Sequence, residues 1–165
     1  MKLDAVDLFD DDIRQYNSAD SFAYELDYED VKLSKEVPLV IKYDYVDLDM
    51  TPYNFLQEFS LRDTQEYFRM MKQISSSTIN TLSADARRYH FYRSEVKGRL
   101  KEMMQRIVPD AVSSNQIVYH FALYNDKDSR ASRETGTRSP RIYFILGTNG
   151  FIYILFFDPY HEINP

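Results

Sequence analysis

The chain has no cysteine and no tryptophan among its 165 residues, and only 4 glycines. Without cysteine there can be no disulfide, thiol nucleophile, iron–sulfur cluster or thiolate zinc site, in keeping with a reducing compartment. With so few glycines there is no glycine-rich phosphate loop, and neither a nucleophile elbow nor a paired-histidine metalloprotease motif occurs. Long apolar runs are also missing. The longest, residues 151–157, is far too short to span a bilayer. Met1-Lys2-Leu3-Asp4 leads directly into further acids rather than an apolar stretch. The reading is therefore a soluble, cytoplasmic protein with no secretory signal, no membrane role, and no metal or cofactor expected.

What is present is a large apolar fraction, 44 %, and an aromatic set of 14 Tyr and 11 Phe. That is enough for a real core, with the tyrosines bringing hydroxyls into apolar surface. One domain over 1–165 is expected. Within it, 1–50 reads as an acidic N-terminal arm or subdomain, and 51–165 as helices followed by a C-terminal sheet. The net charge of −6 conceals an asymmetry. Residues 1–60 hold 15 acids and 5 bases, a charge of −10, whereas the remainder holds 11 acids and 15 bases, a charge of +4. Within 85–141 the bases number 12 against 7 acids. Such a split points to a polyanion-binding part beside an acidic arm, or to two oppositely charged solvated faces.

Periodicity predicts an α+β fold: a mostly antiparallel sheet with a C-terminal β-hairpin, packed against two or three helices. A short helix is expected at 4–16 and strands at 22–30 and 37–48. In the latter, Val37, Leu39, Ile41, Tyr43 and Tyr45 alternate with other residues. Helical spacing follows over 54–75, with Phe55, Phe59, Phe68, Met71 and Ile74 as the stripe. Ser83 reads as an N-cap ahead of Asp85 and Ala86. Ser94 opens a helix over 97–107 with Leu100, Met103, Met104 and Ile107 facing inward. Three β-rich runs close the chain, 116–124, 141–148 and 151–158, and Asn149-Gly150 between the last two is a strong hairpin signal. Both alternating faces of these last two runs are apolar, as in strands covered on both sides.

Chemistry has three candidate places. The polar segment 125–140 carries Arg130, Arg133 and Arg138 among Ser, Thr and Gly, and guanidinium groups grip phosphate by paired hydrogen bonds. Arg87-Arg88-Tyr89-His90-Phe91-Tyr92-Arg93 interleaves bases with aromatics, which suits either phosphate holding with base stacking or an amphipathic helix whose arginines snorkel. Third, Asp158-Pro159-Tyr160-His161-Glu162 sets an imidazole between carboxylates just after an apolar strand, where it can be structural or serve in proton transfer. His120, inside a strand, reads as packing. Asp158, His161 and Glu162 in a single turn do not make a metal site.

The closing run, Arg141-Ile142-Tyr143-Phe144 followed by Gly150-Phe151-Ile152-Tyr153-Ile154-Leu155-Phe156-Phe157-Asp158-Pro159-Tyr160-His161, resembles the C-terminal strands of RelE/HigB-like bacterial toxin endoribonucleases. The likeness covers about 30 residues. It implies a sheet packed on N-terminal helices and metal-independent RNA cleavage, with Arg141, Tyr143 and His161 as the matching catalytic positions. Arg130, Arg133, Arg138, Arg87, Arg88 and Arg93 would bind RNA phosphates. The chain departs from that class in its length and in its acidic first 60 residues. The rival expectation is a non-enzymatic acidic protein, an inhibitor or nucleic-acid mimic, offering the carboxylates and tyrosines of 10–12, 24–30 and 43–49 to a basic protein partner. A third combines the two, the acidic part masking the chain's own basic region. Oligomeric state is not legible.

Overall fold

A computed structural model describes residues 35–108, 117–124 and 131–165. The expected helix at 4–16, the strand at 22–30 and Arg130 lie outside the described residues. The elements, in chain order, are β1 (Val40–Lys42), α1 (Leu61–Ser75), α2 (Ile79–Ala84), α3 (Ala86–Tyr89), β2 (Tyr92–Ser94), α4 (Gly98–Ile107), β3 (Val118–Ala122), β4 (Arg141–Leu146) and β5 (Phe151–Asp158). They build one five-stranded sheet in the order β1-β5-β4-β3-β2. Only the β1–β5 pair is parallel. The fold is α+β with a mostly antiparallel sheet and a C-terminal hairpin, and the described helices number four rather than two or three.

The double-sided apolar pattern of β4 and β5 makes them central, and every residue of β4 is buried. One face packs on Tyr67, Met71 and Ile74 of α1 and Ile79 and Leu82 of α2. Rings fill this core: Phe121 and Phe144 stack with centroids 4.2 Å apart, and Phe91 lies parallel to Tyr119 at 5.1 Å. The other face packs on Leu100, Met103 and Met104 of α4, with Met50, Tyr53 and Ile163. The β4–β5 register slips between Tyr143 and Phe144, which pair with Phe156 and Ile154, so Leu155 is the extra residue of a bulge. The slip moves Phe156 and Asp158 to the α4 face and leaves Phe157 on the α1 face. At the hairpin tip, Gly150 has φ +74, and a Cβ there would meet Val37 Cγ2 at 2.8 Å.

Several boundaries differ from expectation. β1 spans only three residues, because Tyr43 turns the chain by accepting from the Val46 N–H. α1 starts at Leu61, since Asn54 Oδ1 accepts from the Leu56 and Gln57 N–H groups and holds a non-helical turn. Ser60 then forms a capping box with Asp63. Phe55 and Phe59 reach the core from that turn, while Phe68, expected inside, is 65 % exposed and Tyr67 takes its place. Ser83 lies within α2, which Thr78 caps. Ser94 ends β2, and Lys97 precedes α4.

Asp63 ties helix to sheet. Its fully buried carboxylate accepts from Ser60 N–H at 2.8 Å, Tyr124 OH at 2.6 Å and Arg138 at 2.6 Å. Removing it strands a guanidinium. Asp63→Ala should lower stability by about 3–5 kcal/mol, against about 1 kcal/mol for Ser60→Ala. Urea midpoints of the two variants test this, and equal losses would contradict it.

Candidate functional site

Cross-strand register assembles the site. On the α4 face of the sheet, Tyr92 of β2 stands opposite His120 of β3, and His120 opposite Tyr143 of β4. Arg141 lies two residues before Tyr143 on that face, paired with Ala122 and Asp158. His161 arrives from the turn after β5 and brings its ring to 5.9 Å from His120. His90, following α3, lies 6.0 Å from Tyr92, which is in turn 6.1 Å from His120. The chain's three histidines, far apart in sequence, thus meet around Arg141.

Each part is held in place. Ser94 Oγ and His120 Nδ1 are 2.7 Å apart, which leaves Nε2 of that ring for other work. Buried Asp158 accepts from the Tyr160 N–H at 3.2 Å and the Ile163 N–H at 2.7 Å, folding the turn that carries His161. His161 (φ 58) and His90 (φ 46) both adopt the left-handed backbone region, uncommon outside glycine and kept only where the surroundings enforce it. Arg133 and Arg138 both stack on Tyr160, their guanidinium carbons 4.7 Å and 5.3 Å from the ring centre. Arg133 also pairs with Glu58, and with Glu162 at 2.9 Å. Glu162 in turn accepts from Tyr53 OH at 3.4 Å, and Tyr53 receives a bond from Arg99.

Electrostatics follow from burial. Arg141 is 7 % exposed and donates to the Ser139 and Pro140 carbonyls at 3.0 and 3.3 Å. Its burial favours the neutral form, while Tyr143 and Asp158 oppose that shift. Burial first, and the Arg141 charge second, push His120 and His161 down to about 4 and lower His90 as well. Tyr143 is fully buried, and burial drives its phenol well above the ordinary value.

Of the residues singled out from the sequence, Arg141, Tyr143 and His161 come together. Tyr143 is sealed inside, however, and Arg141 acts on the rings above all through its charge. Arg133 and Arg138 sit beside them as braces of the 158–162 turn, matched by Glu58, Glu162 and Asp63. Arg87 and Arg88 are exposed on α3 and Arg93 on β2. His120 and Ser94 were missed: one reads as packing and the other as a helix cap until strand register is known. The signal available was that each histidine lies one or two residues from a tyrosine. Among the described residues, no three His, Asp or Glu side chains are grouped to hold a metal ion. No helix there is long and apolar enough to cross a membrane. In the acidic segment, Tyr43 and Leu48 are about half exposed, and Asp47 pairs with Arg106 at 2.7 Å. No protein-family model matches the chain, and no curated protein or solved structure is similar enough to count as a match.

With His120 and His161 neutral in the fold, the unfolded chain takes up protons below about pH 6.5 that the native state refuses until about pH 4. Stability should therefore fall as pH drops across that window. Asp158, raised by burial, works in the opposite sense. Urea midpoints at pH 7 and pH 5 should differ in the wild type and converge in a His120→Gln/His161→Gln double variant. An unchanged pH dependence in the double variant would contradict the assignment.

Proposed function

We propose that the chain cleaves RNA by metal-independent transphosphorylation, with His120 and His161 as the proton-transferring pair. What carries the reading is the convergence of two neutral imidazoles, 5.9 Å apart, beside one buried guanidinium. One imidazole accepts the proton of a ribose 2′-hydroxyl as its oxygen attacks the adjacent phosphorus. The other, protonated, gives its proton to the departing 5′-oxygen, so that a 2′,3′-cyclic phosphate and a 5′-hydroxyl result. Arg141 supplies positive potential toward the charge that builds on the phosphate.

Anion binding completes the protonation state. A phosphodiester beside the rings offsets the Arg141 charge, which raises the imidazole pKa values and lets one ring carry the proton the leaving group needs. Ser94 fixes the His120 ring, and Asp158 fixes the His161 turn.

The full chain incubated with single-stranded RNA should yield 2′,3′-cyclic phosphate ends. His120→Ala and His161→Ala should each slow cleavage about 100-fold or more. Circular dichroism checks that the variants remain folded. No cyclic phosphate product, or cleavage that survives the double replacement, would refute the reading.

A further inference from the structure

Tyr92 is the one large ring of the histidine cluster that faces solvent, at 42 % exposure. Burying an aromatic is favourable, and β2 is an outer strand among the described ones, with Tyr92 on the same face as His120. Its ring forms a step between two imidazoles, His90 at 6.0 Å and His120 at 6.1 Å. Its neighbours in the chain include exposed arginines: Arg87 and Arg88 on α3, and Arg93, which projects from the opposite face of β2. The Arg88–Asp85 pair, at 3.8 Å with both side chains more than half exposed, neutralises little.

An exposed ring beside imidazoles and a buried guanidinium, with exposed arginines a few residues away in the chain, suits a single strand. Every base has a face to stack, and the backbone follows the cations. A duplex keeps its bases stacked on one another and offers none to the ring.

Resting on the cleavage reading, we infer that Tyr92 is the stacking platform for an unpaired base next to the phosphate held at His120 and His161, which makes the substrate a single strand. Arg87 and Arg88 follow the backbone leading to it. Tyr92 thereby positions the strand without taking part in proton transfer.

The test uses the full chain and a fluorescent single-stranded oligodeoxynucleotide of about ten nucleotides. The probe has no 2′-hydroxyl, so binding is measured without cleavage. Anisotropy should show the single strand bound about tenfold more tightly than the matching duplex. Tyr92→Ala should weaken single-strand binding about tenfold, Tyr92→Phe should retain it, and an abasic oligomer should bind wild type and Tyr92→Ala alike. Equal affinity for strand and duplex, or wild-type affinity in Tyr92→Ala, overturns the subsite. Tyr92-dependent binding with RNA left intact would keep the subsite and refute the cleavage reading.

Discussion

The buried guanidinium of Arg141 is the constraint around which the site is organised. A charge taken out of water must be compensated by its surroundings. Here that falls to two backbone carbonyls and to Asp158 across the β4–β5 pair. Because the charge lies in a poorly solvated interior, it acts on its neighbours more strongly than a surface arginine would. Burial disfavours the protonated form of all three histidines, and this charge adds to the effect. Their neutrality is thus a property of the fold rather than of any one ring.

A second layer keeps that arrangement rigid. The turn after β5 is secured from inside by the Asp158 carboxylate and from outside by Tyr160 against Arg133 and Arg138. Arg138 also reaches Asp63, the capping-box partner in the first turn of α1. Helix, sheet and turn therefore share one network. The arginines of the polar segment contribute structure to the site even where their charges are already matched.

The C-terminal strands were legible because their information is local: period-two patterning, apolar on both faces, and an Asn-Gly tip. The inward stripe of α4 was legible for the same reason, with Leu100, Met103 and Met104 buried. The start of α1 was obscured because Phe55 and Phe59 mimic helical spacing while Asn54 bonds the backbone into a turn. The histidine cluster could only be half read. His161 announces itself by its polar turn, but His120 gains a role only through strands that place Tyr92, His120 and Tyr143 side by side. The bulge at Leu155, which decides that Asp158 faces the site, leaves no mark in a run of apolar residues.

The position of β5 has a bearing on how the protein is made. It is the last described strand in sequence, yet it lies between β1 and β4, and Val40 must wait for Phe151, 111 residues later, to find its partner. Until β5 has been synthesised, β4 lacks one neighbour and both cores lack a wall. Such long-range pairing slows folding. On a ribosome, the helices and the β2–β4 strands can gather early, but the histidine centre cannot exist before the turn at 158–162 has emerged. Any activity the cluster has must therefore await that turn.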